Sequence, residues 1–201
     1  MPASATPKGI LLVMMESALN DDDEFNAWYD NEHIPERAAV PGFLSSIRYV
    51  CRAGFPRYLA IYDLENVGVL KSDAYRAIGG TNLSIWTKRV QRSTRGRWRL
   101  EGTQVFPGDV ITRHLDSRCH LTVVRFRGAQ EGALLDALKR YAADDPNVEQ
   151  LRLYRNECAA GEHGAVIEHR VPIDSFQPPK AFFDKAVGRV DLINTYSPYW
   201  R

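Results

Sequence analysis

The run GILLVMMESALNDDDEFNAWYDNEHIP, residues 9–35, decides how this chain is read. Its first part, Gly9–Ser17, is an apolar run with the length of a strand, and Asp21-Asp22-Asp23-Glu24 then supplies an N-cap and an acidic first turn for a helix. Phe25, Trp28 and Tyr29 follow at helical spacing, and Pro35 disfavours helix at Ile34. Beyond it Pro41-Gly42 reads as a turn. Phe43–Arg52 and Arg57–Leu64 then form a predicted β-hairpin joined by Ala53-Gly54-Phe55-Pro56. Helical stretches over Gly68–Ile78 and Leu83–Arg92 and a strand over Arg97–Phe106 complete the order β-α-β-β-α-β.

After the break at Pro107-Gly108-Asp109 the same order returns. It comprises a strand Cys119–Phe126, an apolar-striped helix Glu131–Ala142, strands Val148–Asn156 and Ala165–Pro172, a helix Lys180–Val187 behind Pro178-Pro179, and a last strand within Leu192–Trp200. The chain therefore reads as an α+β protein of two ferredoxin-like repeats, residues 1–106 and 107–201. Helices of such a unit cover one face of its antiparallel sheet, so each repeat needs a partner for the other face. Two repeats in one chain can cover each other.

Composition narrows the function. With 44% hydrophobic and 25% charged residues and a formal net charge of +1, the chain is neither a disordered polymer nor a generally basic protein for nucleic acid or membrane surfaces. Lys88, Arg89, Arg92, Arg95, Arg97 and Arg99 do form a local basic strip interleaved with Trp86 and Trp98. It reads as a solvated helix face running into an edge strand, where charge discourages sheet-to-sheet pairing, so no nucleic-acid partner is expected. Ile10–Met15 is far shorter than the roughly 20 apolar residues of a membrane span, so no membrane partner is expected. Cys51, Cys119 and Cys158 lie apart without a C-x-x-C pair, which fits a reducing cytoplasm. His33, His114, His120, His163 and His169 show no metal-ligand spacing, so no metal is expected; there is no G-x-S-x-G elbow and no Gly-rich phosphate loop. The aromatic ending Tyr196-Ser197-Pro198-Tyr199-Trp200-Arg201 reads as a docked tail that closes the barrel or forms a subunit interface, so a second copy of the chain is a candidate partner.

Glu24-Phe25-Asn26-Ala27-Trp28-Tyr29-Asp30-Asn31-Glu32-His33-Ile34-Pro35, followed by Val40-Pro41-Gly42-Phe43 and Ile47-Arg48-Tyr49, resembles the F-x-x-W-Y-x-x-x-H-x-P…P-G-F…R-Y pattern of EthD-like members of the dimeric α/β barrel superfamily. The resemblance implies a barrel of two facing ferredoxin-like sheets, with small-molecule sites beside the sheets. Relatives of this kind include cofactor-free monooxygenases of polyketide-type aromatics, muconolactone isomerases and polyketide cyclases, and others in the superfamily bind haem. The second half departs from the pattern, since its first helix carries no Trp-Tyr and no His-x-Pro. A site of this type is therefore expected once, in the first half.

The stripe Phe25, Trp28, Tyr29 extends by helical spacing to Glu32 and His33, so a face that begins as core ends in two ionisable groups. A histidine at a helix C-terminus near Glu32 or Asp30 is drawn toward its protonated form, while burial opposes this, and the balance falls near neutrality where acid–base catalysis works best. The expected roles are His33 as proton-transfer residue and Arg48 or Tyr49 as stabiliser of a carboxylate, enolate or phenolate. Trp28, Tyr29, Glu32 and Phe43 line the pocket. The substrate is a partly apolar aromatic or lactone metabolite, the reaction an isomerisation, elimination or cofactor-independent oxidation without cofactor. The alternative is structural: His33 and Glu32 close the helix end and pair with Arg37 or Arg48, and the protein is a non-catalytic binding or accessory protein.

Overall fold

The computed structural model describes residues 6–18, 21–51, 53–113 and 120–199. His114, Cys119, Trp200 and Arg201, which carried expectations above, lie outside the described residues.

Alternation of side chains along extended strands is what organises the fold. The strands are β1 (Gly9–Glu16), β2 (Ile47–Val50), β3 (Tyr58–Leu64), β4 (Arg95–Phe106), β5 (His120–Arg127), β6 (Val148–Asn156), β7 (Glu162–His169) and β8 (Arg189–Pro198). They close into one antiparallel barrel in the order β1-β3-β2-β8-β5-β7-β6-β4. The first four strands are thus ordered β4-β1-β3-β2 and the last four β8-β5-β7-β6. Two seams join these sets. At one, β4 meets β6 from Gly102↔Asn156 to Phe106↔Leu153; at the other, β2 meets β8 through Tyr49↔Pro198 and Val50↔Ser197.

Inward side chains from both sets form one core: Ile10, Leu12 and Met14 pack with Leu121, Val123, Tyr154 and Tyr196. The outward residues of the same strands form two further cores under the helices. The first contains Leu11, Val13 and Met15 with Phe25, Trp28 and Tyr29. The second contains Val124, Phe126 and Ile167 with Leu134 and Leu138. The barrel is therefore solid in the middle, and sites must lie outside it or at its ends.

Several predicted elements are shorter than the sequence pattern suggests. The Gly68–Ile78 stretch is a 3₁₀ turn, Val67–Lys71, and a separate helix α3 (Asp73–Ala77), because Ser72 is extended and its hydroxyl caps Tyr75 N–H. The Lys180–Val187 stretch is a single 3₁₀ turn, Lys180–Phe183; Asp184 leaves the helical region and its carboxylate accepts Ala186 N–H, a local bond that competes with a helix. The Phe43–Arg52 strand reduces to β2 and a bridge Phe43↔Leu64, since Leu44 N–H and the Ser45 hydroxyl both turn to Asp63. The remaining helices are α1 (Asp22–Trp28), α2 (Ile34–Ala38), α4 (Ile85–Ser93) and α5 (Glu131–Asp144). Among the described residues no helix is long and apolar enough to cross a membrane.

Pro35 does not end the first helix. A π-helical turn, Tyr29–His33, joins α1 to α2, with Ile34 N–H reaching back five residues to the Tyr29 carbonyl. Pro35 then falls in the first turn of α2, where its lack of an N–H is tolerated, and the helical path runs on to Ala38.

One end of the barrel interior is polar. The Arg152 guanidinium, with no exposed surface, donates to Asp63 at 2.8 Å, Glu168 at 2.7 Å, the Thr112 hydroxyl at 2.9 Å and the Tyr154 hydroxyl at 3.0 Å. Asp63 also accepts Thr112 N–H and Glu168 accepts Arg113 N–H, so the chain after β4 is tied across the barrel mouth. Arg152→Met should leave two buried carboxylates without their cation and destabilise the fold by about 3–5 kcal/mol. Urea unfolding would measure this, and a loss under about 1 kcal/mol would contradict the role given to Arg152.

Candidate functional site

The helical path from α1 through the π turn to α2 lies on the outward face of β1 and β3. Its buried side is aromatic: Phe25, Trp28 and Tyr29 stand within 6.1 Å of one another by ring centroids. His33 continues that side. Its ring lies 4.2 Å from Trp28 at a shallow tilt and meets Tyr29 edge-on at 5.2 Å. The residue is 7% exposed, and its Nδ1 is buried without a hydrogen-bond partner.

Electrostatics at this ring differ from the sequence expectation. Burial first, and then the positive charges of Arg37, Arg97, Arg99 and Arg48, hold the His33 imidazole well below its ordinary range. The helix dipole does not offset this, because the helix continues past His33 to Ala38. The acids meant to favour its protonation point elsewhere. Glu32 accepts the Ser84 hydroxyl at 2.5 Å and the Thr87 hydroxyl at 2.8 Å, and Thr87 in turn accepts Trp28 Nε1–H at 2.9 Å. Asp30 accepts Arg48 at 2.9 Å. Burial and these cations therefore bias His33 toward its uncharged form.

The predicted residues divide between two environments. Trp28, Tyr29 and His33 share one wall, and Glu32 anchors that wall to α4. Arg48 is close by but fully engaged: besides Asp30 it donates to Asn26 at 2.5 Å, and it lies 4.5 Å from the Tyr29 ring and 4.1 Å from the Tyr199 ring. Tyr49, next to Arg48 on β2, faces the opposite way into the barrel interior. Phe43 sits on the helix side, 5.8 Å from Tyr62 and stacked at 5.8 Å on Tyr75.

Sequence reasoning missed a second cluster around Tyr75. Arg37, 5% exposed, lies 5.8 Å over the Tyr75 ring and pairs with Glu36 at 3.3 Å. Arg99 donates to the Tyr75 hydroxyl at 3.0 Å and to Glu101 at 2.7 Å. Tyr62 is fully buried, its hydroxyl has no hydrogen-bond partner, and burial pushes its pKa well above the usual phenol range. An isolated buried hydroxyl is costly, and the Tyr62 hydroxyl and His33 Nδ1 are two such unpartnered groups in the layer between the barrel and its first helices. The available signal was the alternation in β3 and β4, which puts Tyr62, Arg97 and Arg99 on the same outward face. Among the described residues no cluster of His, Cys, Asp and Glu is placed to hold a metal ion.

The depressed His33 also sets a pH dependence. In the unfolded chain an imidazole takes up its proton as pH falls through about 6.5. The folded ring resists until lower pH, so the unfolded state binds more protons in that interval and stability falls from about pH 7 toward pH 5. His169, held down to about 4 by burial, acts with the same sign. His33→Phe keeps the stack on Trp28 and removes one contribution, so the urea midpoint should decline less steeply with acidification. An unchanged slope would mean that His33 titrates normally in the fold.

No protein-family model matches the chain, and no curated protein matches it significantly in sequence. Solved structures do match its fold. An anthrone oxidase-like protein is 15% identical with a TM-score of 0.66, over 97% of this chain and 92% of that one. A candidate monooxygenase from Lactobacillus acidophilus NCFM is 14% identical with a TM-score of 0.56, over 96% and 94%. A variant chlorite dismutase from Candidatus Nitrospira defluvii is 12% identical with a TM-score of 0.56, over 97% and 93%. The closed antiparallel barrel with helices outside it is thus a fold this chain shares with these structures, and the candidate site lies between that barrel and its first helical layer.

Proposed function

We propose that the chain is an EthD-like, two-repeat barrel enzyme, divided at residues 106 and 107, that removes a proton from a partly apolar aromatic substrate and lets the resulting anion react with oxygen without a cofactor. The observation that carries this reading is the neutral, buried His33 with an unpartnered Nδ1 in a field of guanidinium groups. The cations that keep the imidazole neutral also weaken it as a base, and they offset this by stabilising the enolate or phenolate formed when the substrate loses its proton to the ring. Arg37 and Arg99 supply this charge, and the Tyr62 hydroxyl has a donor to offer the new oxyanion. Trp28 and Tyr29 are the apolar wall, while Arg48 acts from behind Tyr29 and Tyr49 supports β2 from the barrel core. Structures named anthrone oxidase-like and monooxygenase support the choice of oxidation over isomerisation or elimination.

Haem, suggested by a heme-binding protein from Thermus thermophilus with the same fold, does not fit the described residues. His163 and His169 hold Glu131 and Thr122 through Nε2. The cleft beside His120 has no lysine or arginine in its described lining to meet the carboxylates of the group.

The test substrate is anthrone under air, whose acidic methylene and ring system match the reading; one anthrone and one O₂ yield one anthraquinone and one water. His33→Gln should lower kcat by roughly 10²–10⁴-fold. Tyr62→Phe should lower it by about 10-fold or more, reflecting one lost bond to the oxyanion. Equal turnover by His33→Gln would remove His33 from the mechanism. Saturable anthrone binding without product would make the chain a binding protein instead.

A further inference from the structure

A separate cleft of about 610 Å³ lies on the other half of the barrel, between the outward face of β5 and β8 and the loop after β7. Its sheet side is built in register. Leu121 pairs with Tyr196 across β5 and β8, which makes His120 and Ser197 neighbours, and the Ser197 hydroxyl lies 3.1 Å from His120 Nδ1. In the next row Thr122 pairs with Thr195, their hydroxyls 3.2 Å apart, and the Thr122 hydroxyl is also 2.9 Å from His169 Nε2.

Val124, Phe126, Ile167 and Ala165 make the middle of this outward face apolar under α5; His163, bonded to Glu131, stands at its far end, and the face turns polar again toward the start of β5. Valine or isoleucine at these positions would extend the apolar core; instead the buried Thr122 and His169 and the half-buried His120, Thr195 and Ser197 bond to one another. The opposite wall carries the apolar Pro172, Ile173 and Phe176 together with Asp174 and Ser175. Charge sets the cleft apart from the His33 site: its described lining holds no lysine or arginine and one carboxylate, Asp174, whereas four arginines act on His33.

We propose that this cleft binds an uncharged molecule with an aromatic-sized apolar body and a hydroxyl edge, such as a phenol. The body lies against Ile173, Phe176 and Ile193, and the hydroxyl meets Ser197, Thr195 and His120. The volume is within the range of small-ligand pockets, and the pairing of an apolar wall with a few convergent polar groups is their usual construction. Asp174, in a lining whose described residues include no cation, disfavours an anion. The inference does not depend on catalysis at His33, because the two sites share no lining residue.

The probe is 2-naphthol, with naphthalene-2-sulfonate as its anionic counterpart, titrated calorimetrically into the full chain. The neutral naphthol should bind at least about tenfold more tightly than the sulfonate. Thr195→Val and Ser197→Ala should each weaken it about fivefold, the loss of one hydrogen bond. Ile173→Trp, on the loop and outside the sheet, should fill the cleft and abolish binding; it decides the matter if either strand variant melts early. Absence of naphthol binding, equal affinity for the sulfonate, or unchanged binding in Ile173→Trp would overturn the proposal. So would binding lost in His33→Phe but kept in the cleft variants, since that places the naphthol in the first site.

Discussion

The structure depends on one burial constraint: the inward faces of two four-stranded sheets must cover each other. Ile10, Leu12 and Met14 from one set of strands have no apolar cover of their own, and Leu121, Val123 and Tyr196 from the other provide it. Closing the barrel removes free sheet edges as well, although the seam between β2 and β8 is thin. Since the interior is then filled, ligand chemistry is confined to the layer between barrel and helices and to the surface clefts around it.

Within that layer the two halves differ in kind. On the first, helix-facing side chains combine aromatic rings with guanidinium groups and leave His33 Nδ1 and the Tyr62 hydroxyl without partners. On the second, the middle of the same layer is apolar under α5, with a hydroxyl and imidazole patch at one end and His163 paired with Glu131 at the other. The π turn matters for the first side, because the extra residue in that turn lets the helix continue through Pro35. Arg37 and His33 therefore belong to one helical path over the sheet, and the cation helps hold the imidazole neutral.

Much of the fold was legible before any coordinates. The strand at Gly9, the hairpin around Gly54 and the helix after Glu131 follow from apolar periodicity and turn residues, which are local signals. Local signals misjudged the ends of elements. Ser72, Asp184 and Ser45 each form short side-chain bonds that end a helix or interrupt a strand, and their strength depends on geometry a pattern does not contain. The site was partly legible. Trp28, Tyr29 and His33 do share one wall, because helical spacing fixes relative direction within an element. Arg48 and Tyr49 illustrate the limit: adjacent on β2, they were given one role, yet alternation sends them to opposite sides of the sheet.

By itself the sequence determined which residues alternate, which stripe a helix, and that the first half alone carries the Trp-Tyr and His-x-Pro motif. Those are properties of neighbours along the chain, set by the periods of helix and strand. Tertiary structure alone decided the burial and cationic surroundings of His33, the isolation of the Tyr62 hydroxyl, and the placing of Arg152 between Asp63 and Glu168. Each depends on burial and on charges brought together from distant positions, and electrostatic energy is governed by distance through space and by the surrounding dielectric rather than by separation along the chain.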